Sequence, residues 1–146
     1  MDWLELFNGF NEDITFFDPI ADDELNKIKE ATGTEVSGDL LNLLLQTNGI
    51  KDNRFGDYLV YDSDRIIEHY KLCLDYFKPS KFAYSRPLLF FADDGCGNYF
   101  GYEVKGNQII SPQIIFFSPI EPDELRIVAS DFSTWATEWY TGKLSV

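Results

Sequence analysis

The stretch FFADDGCGNYFGYE, Phe90 to Glu103, places three glycines and two adjacent aspartates between aromatic residues. Glycine adopts backbone conformations that other residues avoid, so Gly95 and Gly97 predict a sharp reversal of the chain. The aromatic residues on either side favour strands, because their side chains pack well on a pleated surface. The stretch therefore predicts two strands joined by a glycine turn, with the aromatic side chains packing the sheet.

Two ligand-binding interpretations of this stretch fail on spacing. A dinucleotide loop needs G-x-G-x-x-G at the start of a helix, but here Gly101 comes one residue too late and strand-like residues follow. A calcium loop that begins at Asp93 needs glycine at its sixth position and glutamate at its twelfth, where this chain has Asn98 and Val104. The sequence therefore predicts no cofactor and no specific metal site.

Cys96 is the residue of the turn that could act as a nucleophile. Cysteine catalysis needs a base, and His69 is the only histidine in the chain. Helical periodicity places His69 off the apolar face of its predicted helix, so we expect it to be solvated. The carboxylates of Asp93 and Asp94 would also disfavour the reactive thiolate. We therefore predict a protein that is not an enzyme, with a Cys96 hydrolase as the least favoured alternative.

The composition predicts one domain over residues 1–146. The chain is 45% hydrophobic and 16% aromatic, so it carries enough large apolar side chains to form a core. No apolar run approaches the roughly 18 residues that span a bilayer, and the acidic N-terminus lacks the positive region of a secretory signal. Both cysteines, Cys73 and Cys96, are expected as thiols. We predict a cytoplasmic protein that does not associate with membranes.

The charge of the chain is strongly negative. Its 12 basic and 25 acidic residues give a net charge of −13, and residues 1–35 alone hold ten acids and two bases. Such a field repels nucleic acid and anionic membranes and attracts basic proteins. Negative charge also serves solubility, so on its own it permits a basic partner without requiring one.

Apolar spacing and turn residues predict an α+β fold, with helices packed on one face of a largely antiparallel, or mixed, sheet. The predicted helices are Asp2 to Phe10, Asp22 to Thr32, Gly38 to Thr47, a long helix capped by Asp62 or Ser63 and ended by Pro79, and a C-terminal helix. The predicted strands are Tyr58 to Tyr61, Pro87 to Ala92, Asn98 to Val104 and Gln108 to Phe117. Pro112 predicts an edge position or a bulge in the last strand, because it has no backbone N–H.

Several residues are predicted to have structural roles at helix ends and in the core. Asn48 and Gly49 follow the leucine-rich third helix, and glycine takes the left-handed conformation that a helix end needs. Ser130 is predicted to cap the C-terminal helix. Phe132 and Trp135 lie at helical spacing in that helix and predict its buried stripe.

Four motifs, in this order along the chain, resemble the SMI1/KNR4 (SUKH) superfamily. They are DDELNKIKEATGTEVSGDL from Asp22, LLNLLLQTNGI from Leu40, DGCGNYFGY from Asp94 and VASDFSTWATEW from Val128. The resemblance covers about residues 20–140. The family's Leu-Pro step is Val36-Ser37 here, a mild change because serine can cap the same helix start that proline would begin.

The resemblance implies a non-catalytic α+β binding domain. Bacterial members look chiefly like immunity proteins, which bind and neutralise a partner toxin, often a nuclease, of polymorphic or contact-dependent toxin systems. Eukaryotic members look like scaffolding or regulatory proteins, so a general adaptor is the alternative function. Nuclease toxins tend to be basic, and opposite charge would accelerate their association with this chain. We predict that exposed acids near aromatic residues bind the toxin: Asp52, Asp57, Asp93, Asp94 and Glu103.

Overall fold

The computed structural model describes residues 1–76, 88–121 and 124–146. Within these residues the helices are Trp3–Phe10 (α1), Asp22–Thr32 (α2), Gly38–Leu44 (α3), Ser63–Tyr76 (α4) and Phe132–Tyr140 (α5). The strands are Ile14–Phe16 (β1), Ile50–Asp52 (β2), Tyr58–Val60 (β3), Leu88–Asp93 (β4), Tyr99–Lys105 (β5), Gln108–Ile109 (β6), Ile114–Phe117 (β7) and Arg126–Ala129 (β8). The α+β class predicted from the sequence is confirmed. None of the helices described has the length and apolar content needed to cross a bilayer.

The strands form two antiparallel sheets instead of the single sheet expected. The first has the order β1-β2-β3, and the second has the order β4-β5-β7-β8 with β6 paired to β5. The sheets adjoin just after β3, where the N–H of Tyr61 donates to the carbonyl of Phe91 at 2.7 Å. The sequence predicted β3, as Tyr58 to Tyr61, but not β1 and β2, which have three residues each and show little of the alternation typical of a strand.

The opening stretch forms the predicted pair of strands. Asp93 lies opposite Tyr99, and Leu88 lies opposite Glu103, with a register shift between Phe90 and Ala92. Gly101 has a separate role within β5. A Cβ atom there would lie 2.3 Å from the carbonyl oxygen of Leu89, so the close approach of β4 to β5 requires glycine at this position.

The strand predicted from Gln108 to Phe117 is interrupted, as Pro112 suggested. Val104 pairs with Ile109 on one side of the break, and Gly101 pairs with Ile115 on the other. Residues 110–113 separate β6 from β7 while both strands keep the same neighbour, β5, and the Ile110 N–H still donates to the Glu103 carbonyl at 3.2 Å. Pro112 lies in this segment, outside both strands, where its missing N–H leaves no ladder bond unmade.

The core is built around the aromatic residues of β4, β5 and α5. Trp135 is fully buried, and its ring centroid lies 4.8–5.4 Å from those of Phe91, Phe100 and Phe132. Tyr99, the residue before Phe100, instead packs against His69 of α4, with the two ring centroids 5.3 Å apart. Neighbouring residues of β5 thus meet different helices, and the predicted burial of Phe132 and Trp135 is confirmed.

The C-terminal helix begins one residue later than predicted. Asp131, and not Ser130, is its N-cap, because the Asp131 carboxylate accepts a hydrogen bond from the Thr134 N–H at 2.8 Å. Hydrogen bonding by Thr134, first through its side chain and then through its N–H, lowers the pKa of Asp131. Aspartate is as good a cap as serine. The sequence therefore offers both residues 130 and 131 as the N-cap, and the hydrogen bond to Thr134 decides between them.

Two other helices begin without a hydrogen bond from the side chain of the cap residue. In α2 the cap position is Ala21, whose N–H donates to the Glu24 carboxylate at 3.1 Å. Ser37 occupies the cap position of α3, but its side chain makes no capping hydrogen bond. Asp62, one of the two candidates for α4, does accept a bond from the Arg65 N–H. The predicted end of α4 at Pro79 lies outside the described residues.

Candidate partner-binding surface

The glycine turn between β4 and β5 is held by the Asp94 side chain. One carboxylate oxygen accepts hydrogen bonds from the N–H groups of Cys96 and Asn98 at 2.8 and 3.1 Å, and the other accepts from Asn98 Nδ2 at 2.8 Å. Gly95 and Gly97 have φ angles of +78° and +88°, which other residues rarely adopt. The prediction that both glycines serve backbone geometry is confirmed.

Asp93 joins the turn to the end of the first sheet. Its Oδ1 accepts from the Gly95 N–H at 2.9 Å, and its Oδ2 accepts from the Tyr61 hydroxyl at 2.7 Å. Tyr61 is 1% exposed, and burial together with the bond to Asp93 raises the pKa of its phenol well above the ordinary value. Tyr61 therefore remains a neutral donor that fixes the position of the Asp93 carboxylate.

His69 is packed between tyrosines, and the expectation that it is solvated is wrong. Its ring stacks on Tyr61 with centroids 4.5 Å apart, and its Nδ1 lies 3.3 Å from the hydroxyl of Tyr99. The loss of water around the ring lowers the pKa of His69. Cys96 lies exposed in the turn, where its N–H serves Asp94. The imidazole therefore contacts phenols, which gives no support to its use as a base for Cys96.

Two adjoining hollows, which share Asp57, Tyr58 and Asp93, lie between the glycine turn and the β2–β3 hairpin. We call the surface of these two hollows the acidic depression. Their volumes, about 140 and 170 Å³, are below the roughly 300 Å³ at which ligand pockets begin. Four of the five acids predicted to bind a partner line this surface: Asp52, Asp57, Asp93 and Asp94. Glu103 lies outside the lining, in β5 opposite Leu88.

Asp52 is not the exposed charge that the sequence suggested. It is 4% exposed, and its carboxylate accepts three hydrogen bonds from Arg54, one from the backbone N–H and two from the guanidinium. The hydrogen bonds from Arg54 are the main cause of its lowered pKa. Asp52 therefore holds the β2–β3 hairpin in shape, whereas Asp57 is exposed and remains available to a partner.

Asn48 and Gly49 connect helices instead of ending one. Helix α3 already ends at Leu44. The Asn48 side chain donates to the Glu24 carboxylate at 2.9 Å and accepts from the Ser63 N–H at 3.0 Å. It therefore ties α2 to the start of α4. Asn48 also lines a hollow of about 320 Å³ whose other residues include four acids: Asp18, Glu24, Asp62 and Asp64.

Two arginines lie at the acidic depression: Arg54 is paired with Asp52, one of its four acids, and Arg65 lines it. In the described residues the ion pairs are Arg54 with Asp52 and Arg65 with Asp62, both at 2.9 Å. The guanidinium of Arg65 also lies 3.9 Å from the ring centroid of Tyr58. The same part of the chain contains no cluster of three or more His, Cys, Asp or Glu side chains able to hold a metal ion. This surface is thus suited to attract cationic side chains.

The described residues form an α+β domain with a shallow acidic surface. The domain consists of two antiparallel sheets, five described helices and a glycine turn held by its own carboxylates. The sequence profile of the SMI1 / KNR4 family (SUKH-1) matches residues 19–138, and the chain belongs to this family. The match includes the glycine turn and the Asn48-Gly49 pair, and it begins after α1. No curated protein gives a significant match to the chain.

Proposed function

We propose that this chain is an immunity protein, which binds and neutralises a partner toxin in the cytoplasm. The observation that carries the proposal is membership of the SMI1 / KNR4 family (SUKH-1). Bacterial proteins of this family look chiefly like immunity proteins. The acidic depression supports a basic toxin as the partner, and nucleases are the favoured class because they must bind a polyanion.

Neutralisation by binding requires a rigid complementary surface and no catalytic group. The glycine turn supplies rigidity, because both its carboxylates are hydrogen-bonded to its own backbone. Asp57 and Asp93 lie at the junction of the two hollows, where they raise the local concentration of a cationic partner. Opposite charge increases the association rate, which would favour capture of a newly made toxin before it reaches its substrate.

The proposal is tested by co-expression with the toxin encoded beside the chain. We expect growth to be rescued and the two proteins to co-elute from a sizing column as a stoichiometric complex. An unrelated acidic protein of similar net charge is the control for charge alone. Persistent toxicity together with separate elution would refute the immunity function.

The same assay separates the two alternative functions. Recovery of several regulatory proteins from native lysate, with no binding to the toxin, would favour a general adaptor. Protection that survives both Cys96→Ala and His69→Gln would exclude a hydrolase that uses the thiol, because neither substitution leaves a nucleophile with its base.

A further inference from the structure

The tip of the β2–β3 hairpin carries an exposed aromatic ring. Phe55 is 75% exposed and lies between Arg54 and Gly56. A single exposed apolar residue is ordinary on a protein surface. Phe55 differs from such residues because hydrogen bonds fix the backbone of the loop around it.

Hydrogen bonds from three directions hold this tip in one conformation. The Asp52 carboxylate accepts from Arg54, the Gly56 N–H donates to the Asp52 carbonyl at 2.8 Å, and the Asn53 N–H donates to the Asp13 carbonyl at 3.0 Å. The Arg54 guanidinium lies 5.4 Å from the centroid of the Phe55 ring. A loop ordered before binding loses less conformational entropy when it binds, so the backbone that carries Phe55 is preorganised.

This anchor is continuous with the acidic depression. Gly56 and Asp57, the two residues after Phe55, both line it, and Asp93 forms its opposite side. Asp57 is exposed, and in the described part of the chain it takes part in neither of the two ion pairs. An apolar anchor therefore stands directly beside negative charge.

We propose that Phe55, together with Asp57 and Asp93, forms the toxin-docking surface of this chain. The partner chemistry that fits is a basic protein surface with an apolar recess for the phenyl ring, bordered by lysine or arginine side chains. This inference rests on the proposed function and names the surface that performs it. A second copy of the chain fits less well, because two molecules of charge −13 would bring like charges together.

The anchor is tested by the affinity of purified variants for the purified toxin encoded beside the chain. Because buried aromatic anchors dominate interfaces, we expect Phe55→Ala to raise Kd at least about tenfold. Ile120→Ala is the matched control, since Ile120 is 89% exposed and lies outside the lining of the depression. It should change Kd by less than about twofold. Circular dichroism and Tm should be unchanged in both variants, because neither side chain is buried.

The charge is tested separately by association kinetics. Asp57→Asn should slow association by about two- to fivefold at low salt, and the difference should shrink in about 0.5 M salt, where charges are screened. Glu30→Gln, at an exposed position of α2, is the control and should have a smaller effect.

The outcomes distinguish this surface from the immunity function itself. No binding by the unaltered chain would overturn both proposals. Binding by the unaltered chain with equal Kd values for Phe55→Ala and Ile120→Ala would overturn the docking surface and leave the immunity function intact. Self-association that is lost in Phe55→Ala would assign the tip to a second copy and would also overturn the docking surface.

Discussion

Replacing Gly49 with alanine should destabilise this fold strongly. Gly49 has φ of +89°, and a Cβ atom there would lie 2.8 Å from the backbone nitrogen of Asp62 and 3.0 Å from its Cα. A left-handed conformation costs a residue with a side chain about 1–2 kcal/mol, and forcing an extra methyl into packed structure costs about 1–3 kcal/mol. We therefore expect Gly49→Ala to lower the free energy of unfolding by about 2–5 kcal/mol.

Gly97→Ala provides a matched control for the backbone contribution alone. Gly97 has φ of +88°, and no atom lies within 4 Å of a Cβ built on it. Its substitution should lower the free energy of unfolding by only about 1–2 kcal/mol. Urea unfolding followed by circular dichroism measures both variants against the unaltered chain. Equal losses for the two variants would show that the backbone at Asp62 yields freely, and would refute a requirement for close approach at Gly49.

The helix cap and the half-buried His69 give two further predictions. Asp131→Ala should lower the free energy of unfolding by about 0.5–2 kcal/mol, because it removes the cap bond to Thr134, and Ser130→Ala should cost less; the reverse order in urea unfolding would contradict the assignment. Because the pKa of His69 is lowered in the fold, the unfolded chain gains a proton first as pH falls through about 6.5. The free energy of unfolding should therefore decrease from pH 7.5 to 5.5, and His69→Gln should make this decrease smaller. The same pH dependence in His69→Gln as in the unaltered chain would contradict a contribution from His69.

The sequence predicted the elements whose signal is local. The glycine turn needs only Gly95 and Gly97 for its geometry, and α5 has enough residues to show which of them face the core. Strands β1, β2 and β8 were missed because their signal is not local. Ile14 pairs with Asp52, so β1 exists only through a partner that is remote along the chain, and β8 exists through its pairing with β7.

The sequence indicated most of the acids that line the candidate surface, but it did not indicate what each of them does there. Four of the five acids that were chosen because they lie near aromatic residues meet at the acidic depression, and their part in binding stays a prediction. The sequence could not show that Asp52 is buried, because its burial depends on the pairing of β2 with both neighbours. Phe55 was overlooked, although an aromatic residue between polar turn residues in DNRFGD is a recognisable signal of an exposed ring.

The carboxylates of the glycine turn belong both to the fold and to the electric field of the surface. Neutralising Asp93 and Asp94 together should slow association with a basic toxin, but it also weakens hydrogen bonds to Tyr61 and to the turn. Salt separates the two effects, because screening removes the difference in rate that arises from charge and leaves one that arises from a distorted turn. If Asp93→Asn with Asp94→Asn associates as fast as the unaltered chain in about 0.5 M salt, the two aspartates act through their charge, whereas a difference in rate that persists there arises from the altered shape of the turn.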